Sequence, residues 1–238
     1  MNSSPRPEFQ YLGHSTVLCT LPDGRTILID PWVDNNPACP SGAKELARVD
    51  AMLITHAHSD HMGDAVGIAK RHRPQKVVAC YEVAAWLGAQ GVERCAGMNL
   101  GGSQEVLGTR VSMVRADHSS GIATPDGIRY GGLAAGYVVR LAGGYTFYHA
   151  GDTALFSDME LIAELYRPEL AFLPIGDLYT MDPLHAAIAC RLLGVSTVIP
   201  IHYATFPALT GTAEALAASL QDRGITTEVV ALRAGERY

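Results

Sequence analysis

Between positions 55 and 61 the chain reads THAHSDH, which places His56, His58, Asp60 and His61 within six positions. Neutral imidazole nitrogens together with a carboxylate oxygen are donors that suit zinc, manganese or iron better than calcium. A solvated polar loop or a purification-tag remnant explains the run poorly, because a tag is terminal and lacks an embedded aspartate. Four donors this close in sequence cannot all reach one tetrahedral ion without strain, since alternate residues of an extended turn point in different directions. Two metal ions are therefore expected, and each needs ligands from elsewhere. Three further candidates share one context, directly after a β-rich run: His118 follows VSMVRAD, Asp152 follows TFYHAG and His202 follows STVIPI. Loops leaving neighbouring strand ends gather on one rim of a sheet, so distant residues can share a site.

The elements that must position these residues can be traced from pattern. STVLCTL and RTILID read as a hairpin turning at Leu21-Pro22-Asp23-Gly24, where proline presets φ and glycine supplies a left-handed position. AMLIT reads as a buried strand, 64–73 as a helix with Asp64 as its cap, KVVAC as a strand and YEVAAWLGAQ as a helix stopped by Gly91. Extended segments at 104–107 and 110–115 precede a second hairpin, AAGYVVRL and YTFYHA, turning at Gly143-Gly144. Helices near 157–166, 182–193 and 212–223 then alternate with strands ELAFLPI, STVIPI and TEVVAL. Hairpins in both halves with helices between them predict an α/β (α+β) protein of two mixed sheets packed face to face and covered by helices outside.

The composition agrees. With 238 residues, 48% hydrophobic and 18% charged, the chain has ample material for a core and too little charge for a disordered one. No composition shift, repeat or charge run divides it, so one domain over 1–238 is expected. A net charge of −6 argues against a surface that neutralises nucleic-acid phosphates. The cysteines Cys19, Cys39, Cys80, Cys95 and Cys190 form no CxxC pair and indicate neither a disulfide framework nor a thiolate zinc site. The N-terminal MNSSPRPEFQYLG has no apolar leader and no segment is apolar enough to span a membrane. The expectation is a soluble cytoplasmic protein without a nucleic-acid or membrane partner, its oligomeric state left open between monomer and homo-oligomer.

THAHSDH, ADHSSG, HAGDT and IPIHY, in this order, resemble the successive metal motifs of the metallo-β-lactamase fold. More narrowly, GHSTVL, ILIDPW, THAHSDHMGD, ADHSSG, YHAGDTALFSDM, LPIGD with its following TM, and PIHYATFP resemble a family of metal-dependent hydrolases close to the ascorbate-phosphate lactonases. The resemblance runs from about Phe9 to the end of the chain. It implies a four-layer αββα sandwich with a di-metal centre in the groove between the sheets. Transferred residue by residue, it assigns His56, His58 and His118 to one metal and Asp60, His61 and His202 to the other, with Asp152 between them. Zinc is the first expectation, with manganese and iron(II) compatible.

Two cations at such a centre would activate a bridging hydroxide as nucleophile, and Asp60 could orient that water or take its proton. Tyr203, beside His202, is a candidate proton donor to the leaving group. His14 in GHST reads either as a contact to substrate or to a ligand, or as a hydrogen-bonded turn residue. His149 is expected to pack, His72 and His185 to lie at the surface, and Asp30 to hold a loop or a ligand histidine. Leu178 stands where relatives tend to carry a polar side chain after the aspartate of PIGD. No cluster of Lys or Arg marks a phosphate clamp, although Ser119, Ser120 and Gly121 could supply small donors. The expected activity is hydrolysis of a small ester, lactone or phosphoester; the alternative is a metal-binding redox or sensing protein on the same fold. Counting two divalent cations moves the formal charge from −6 to about −2 and makes the groove the strongly positive place on the molecule.

Overall fold

The computed structural model describes residues 6–238; the first five, part of the segment read as lacking an apolar leader, lie outside the described residues. The first sheet begins as an antiparallel meander of β1 (Glu8–Gly13), β2 (Thr16–Thr20) and β3 (Thr26–Ile29). It continues in parallel through β4 (Ala51–Leu53), the short α1 (Ser59–Met62), α2 (Ala65–His72), β5 (Lys76–Cys80), α3 (Tyr81–Ala89) and β6 (Cys95–Met98). Its strand order is β1-β2-β3-β4-β5-β6. The chain then forms β7 (Ser103–Val106), β8 (Thr109–Arg115), a separate exposed hairpin of β9 (Gly121–Thr124) and β10 (Gly127–Tyr130), β11 (Ala135–Arg140) and β12 (Thr146–His149). The rest alternates as α4 (Met159–Tyr166), β13 (Leu170–Pro174), α5 (Pro183–Leu193), β14 (Thr197–Ile201), α6 (Ala213–Asp222) and β15 (Glu228–Val229). These strands make the second sheet, β15-β14-β13-β12-β11-β8-β7, parallel from β12 to β15 and antiparallel elsewhere.

The two faces of the second sheet enter different cores, as the two-residue period of a strand requires. Tyr137, Val139, Phe147, Phe172 and Ile199 point at the first sheet, whereas Val138, Tyr148, Ala171, Leu173 and Val198 pack under α4, α5 and α6. Strands buried on both faces read as continuous apolar runs, which is why ELAFLPI and STVIPI stand out in the sequence. Phe9 of β1 joins the layers, meeting Phe147 and Phe172 edge to face at 4.8 and 5.2 Å. Helix α3 covers β5 and β6 on the opposite outer face. The four layers are those of a metallo-β-lactamase fold.

The elements expected from pattern are present, and several more appear. β1 extends the first hairpin to three strands; its signal is the alternation of buried Phe9 and Tyr11 with Glu8 and Gln10. It is held on its far edge by the C-terminus, with Phe9 N–H donating to the Tyr238 carbonyl and Tyr11 N–H to that of Glu236. β6 and the β9–β10 hairpin have mostly small or polar residues and little periodicity to announce them. TEVVAL yields only the two-residue β15. Asp64 precedes α2 but does not cap it: its Oδ2 accepts from the Val33 and Asn35 N–H groups, so it fastens the loop after β3. The cysteines are free. No helix of the described residues is long and apolar enough to cross a membrane.

Because Phe172 is fully buried between the sheets and bears on Phe9 and Phe147, Phe172→Ala is expected to cost about 3–5 kcal/mol. Leu161→Ala, at a side chain 51% exposed on α4, is expected to stay within about 0.5 kcal/mol. Urea unfolding of the two variants checks the difference.

Candidate metal centre

Every expected metal-binding side chain leaves the carboxyl end of a strand, on one rim. His56 and His58 follow β4, and the single turn of α1 then carries Asp60 and His61. β8, β12 and β14 deliver His118, Asp152 and His202. The loops meet because backbone is allowed unusually close. Gly151, with φ +60°, sits where a Cβ would lie 2.7 Å from the Thr55 Cβ, and a Cβ on Gly176 would lie 2.1 Å from the His202 carbonyl oxygen. His202 itself is left-handed (φ 54°), with its N–H donating to the His14 carbonyl at 2.7 Å.

The donor atoms converge in three overlapping sets, each within 4.8 Å: His56, His58 and His118; His14, Asp60, His61 and His202; and His56, His61 and Asp152. Asp152 joins the first two. Its Oδ2 lies 2.9 Å from His202 Nε2, 3.3 Å from His61 Nε2, 3.6 Å from His118 Nε2 and 4.0 Å from His56 Nε2. Asp60 Oδ2 stands 3.9 Å from the Nε2 atoms of both His61 and His202. Five of these side chains, with Ser119 and Tyr179, line an open cavity of about 270 Å³.

Behind the donors lies one buried aspartate. Asp30, left-handed at φ 51°, accepts from the Thr55 N–H at 2.8 Å and from the Thr55 hydroxyl at 2.8 Å. The His61 Nδ1–H also donates to it, at 2.8 Å, which fixes the His61 tautomer and turns Nε2 toward the cluster. With the Thr55 proton committed to Asp30, the Thr55 oxygen is left to accept from His56 Nδ1–H at 3.0 Å. The His56 tautomer is fixed too. His14 has Nε2 3.0 Å from Asp60 Oδ2 and Nδ1 3.0 Å from the Thr205 hydroxyl, so it serves as the hydrogen-bonding partner of Asp60. Thr205 carried no signal in the sequence.

Charge follows geometry. Burial lowers His56, His58 and His118 below the ordinary histidine value and pushes His14 down to about 4, so these rings are neutral, the form that binds metal. Burial acts to raise Asp152, but His61 and His202 outweigh it and hold the carboxyl well below its usual range. Burial likewise opposes a charge on His61, but Asp152 and Asp30 raise it well above the ordinary histidine value; the two carboxyl groups thus favour a positive charge at Nε2, a place a cation would take from the proton. His61 Nε2 and Asp152 Oδ1 are buried with no hydrogen-bond partner. An unpaired buried polar atom costs about 1–3 kcal/mol, and a divalent cation is the partner this donor set fits.

The remaining residues are placed as follows. His149 is buried and its Nε2 lies 3.0 Å from the Ser15 carbonyl oxygen, packed between the sheets. His185 is exposed beside Asp182, whose side chain caps α5; His72 is half-buried at the end of α2. Tyr203 packs against the core under the outer helices, and the tyrosine that lines the cavity is Tyr179. Ser120 accepts from the Ala57 N–H and donates to the Gly131 carbonyl, tying the β9–β10 hairpin to the metal loop.

Fold and donor cluster together define a metal-dependent hydrolase of the metallo-β-lactamase kind. Residues 25–203 match the β-lactamase superfamily domain. The chain is 55% identical over 201 residues to a UPF0173 metal-dependent hydrolase of Koribacter versatilis, covering 84% of this chain and 86% of that one. It is 52% identical over 229 residues to another from Solibacter usitatus, covering 96% and 98%. The solved structure of Igni18, a metallo hydrolase from the archaeon Ignicoccus hospitalis, matches with a TM-score of 0.85 at 34% identity, over 98% of this chain and 97% of that one. The chain belongs to the UPF0173 metal-dependent hydrolases of the β-lactamase superfamily.

Asp30→Asn keeps an acceptor for the Thr55 N–H but offers an amide N–H₂ where His61 or the Thr55 hydroxyl needs an oxygen. Metal retention is expected to weaken roughly 10–100-fold with the fold intact. Chelator competition, with far-ultraviolet circular dichroism as control, checks this.

Proposed function

We propose that the protein hydrolyses a small ester, lactone or phosphoester at a centre of two divalent cations. His56, His58 and His118 would hold one cation, Asp60, His61 and His202 the other, and Asp152 would lie between them. The observation that carries this reading is the Asp152 Oδ2 atom, buried within 4.0 Å of imidazole nitrogens from both histidine sets. A carboxylate so placed can offset the repulsion of two cations ~3.5–4 Å apart. Zinc is the proposed ion, since a histidine-rich N/O donor set suits it; manganese and iron(II) fit the same donors. When bound, such a pair supplies Lewis acidity and lowers the pKa of a coordinated water from 15.7 toward ~7.

The chain's own groups do the rest. Asp60 Oδ1 is not engaged by His14, which takes Oδ2, so this carboxylate can orient a water or accept its proton while His14 and Thr205 hold its plane. Asp30, through His61 and Thr55, keeps one ring of each set at its working angle. Ser119, 3.3 Å from His58 Nε2, offers a small hydroxyl at the cavity wall.

Protein purified without added metal is expected to carry at least about one equivalent of a transition metal by inductively coupled plasma analysis, and chelation is expected to abolish hydrolysis. His56→Ala, Asp152→Ala and His202→Ala are each expected to remove activity on p-nitrophenyl esters, lactones and bis(p-nitrophenyl) phosphate. Full turnover by a metal-replete His202→Ala protein, or active protein with less metal than that, would contradict the assignment.

A further inference from the structure

The loop after β13 carries a cost that packing does not explain. Asp177 and Leu178 are both left-handed, at φ 67° and 43°. Asparagine and aspartate tolerate that region, but a leucine there is strained. Leu178 gains no burial in return, being 65% exposed. The conformation is nonetheless clamped: Asp177 N–H donates to the Met181 carbonyl at 3.0 Å, and Leu178 N–H donates to Asp177 Oδ1 at 2.7 Å. Strain that the surroundings enforce, next to a site, points to a role for what it positions. What it positions is Tyr179, 59% exposed and lining the metal cavity.

The loop is also locked to the metal side. β13 and β14 are neighbours, so 175–182 runs beside the loop that begins with His202, and Gly176 abuts the His202 carbonyl. Further along that second loop, Phe206 is 38% exposed and stands 5.6 Å from the His14 ring and 6.1 Å from that of Trp32. The rim on this side thus offers Leu178, Tyr179 and Phe206 to solvent. The cavity lining contains no Lys or Arg, whereas a phosphate monoester dianion is usually gripped by such side chains.

We propose that this loop is the substrate-selecting wall of the centre. Tyr179 donates its phenolic O–H to the carbonyl oxygen under attack, and Leu178 with Phe206 receives an apolar acyl group. The site then takes uncharged esters or lactones with apolar acyl chains in preference to phosphate monoesters. The inference rests on the hydrolase reading above and narrows its substrate class. Tyr179 keeps its proton throughout. Water adds to the acyl carbon, the acyl C–O bond breaks, and the products are a carboxylic acid and an alcohol, or the hydroxy acid of an opened lactone. The hydrogen bond strengthens as charge develops on the carbonyl oxygen, so its loss falls on kcat rather than KM.

The test uses zinc-loaded full-length protein with p-nitrophenyl butyrate, acetate and phosphate, whose shared leaving group needs no proton donor. Tyr179→Phe is expected to lower kcat on butyrate about tenfold with KM little changed and zinc content the same. Leu178→Asn accepts the left-handed backbone more readily; its melting temperature is expected to hold or rise, while KM for butyrate rises about fivefold and that for acetate does not. Calorimetric titration with butyrate and inorganic phosphate gives a second readout independent of turnover, and Leu178→Asn is expected to weaken butyrate binding alone. A higher kcat/KM for the phosphate ester, or both variants within twofold of the parent in kcat, KM and butyrate binding, would overturn the proposal while leaving a hydrolase. Absence of turnover on all esters, lactones and phosphoesters would instead remove the hydrolase reading, and the butyrate titration would still decide the role of Leu178.

Discussion

Asp30 sets the orientation of the centre without touching the cavity. Its two oxygens take the Thr55 N–H, the Thr55 hydroxyl and the His61 Nδ1–H, and through Thr55 they also fix His56. One buried carboxyl group therefore settles the tautomer of a ring in each of the two histidine sets. Imidazole offers two nitrogens, and which one faces a cation is decided by what the other is bonded to. The placement of Asp30 follows from the first sheet: it directly follows β3, which pairs with β4 in parallel, so the aspartate and the metal loop emerge side by side. Loss of that parallel register would separate them.

Around this anchor the rim is assembled by backbone close approach. Gly151 against Thr55 and Gly176 against the His202 carbonyl are contacts that a Cβ would forbid. The first draws together loops from opposite sheets, and the second joins loops after neighbouring strands of the second sheet. Left-handed residues make the sharp exits: His14, Asp30, Asp177, Leu178 and His202 all have positive φ. Such positions cost energy singly, and those after β3, β13 and β14 survive because the strands below them are buried throughout. The aromatic contact of Phe9 with Phe147 and Phe172 lies between the same two sheets.

Legibility in the sequence followed the physics of each part. The THAHSDH run declares itself because three imidazoles and a carboxylate within six positions have no common structural use. The later donors were readable because each follows a strand buried on both faces, and such strands are conspicuous apolar runs. Burial and hydrogen bonding across layers left no local trace. The pairing of Asp30 with His61, the support of Asp60 by His14 and Thr205, and the packing of Tyr203 away from the cavity depend on residues far apart in the chain. Asp64 illustrates the error this produces: its position before α2 suggests a cap, yet its carboxyl reaches back to the loop after β3. The β9–β10 hairpin leaves little trace in the sequence, because its exposed strands lack the apolar period that marks a core element.

The two walls of the cavity obey different constraints. On the metal side much is over-determined: His56, His61, Asp152 and His202 are buried, Asp30 and Thr55 fix the His56 and His61 rings, and two backbone contacts admit only glycine. The wall formed by Leu178, Tyr179 and Phe206 is exposed, held by short local hydrogen bonds, and strained where it bears an apolar side chain. A centre of this kind can polarise many bonds, so it specifies a type of chemistry more than a substrate. Discrimination must then come from the groups that meet the rest of the molecule being cleaved. These can vary without disturbing Asp30 or the sheets, because they contribute little to the core. The separation explains how strong identity across the chain can fix the family and its metal-dependent hydrolysis while exposed residues of the loops after β13 and β14 stay free to vary.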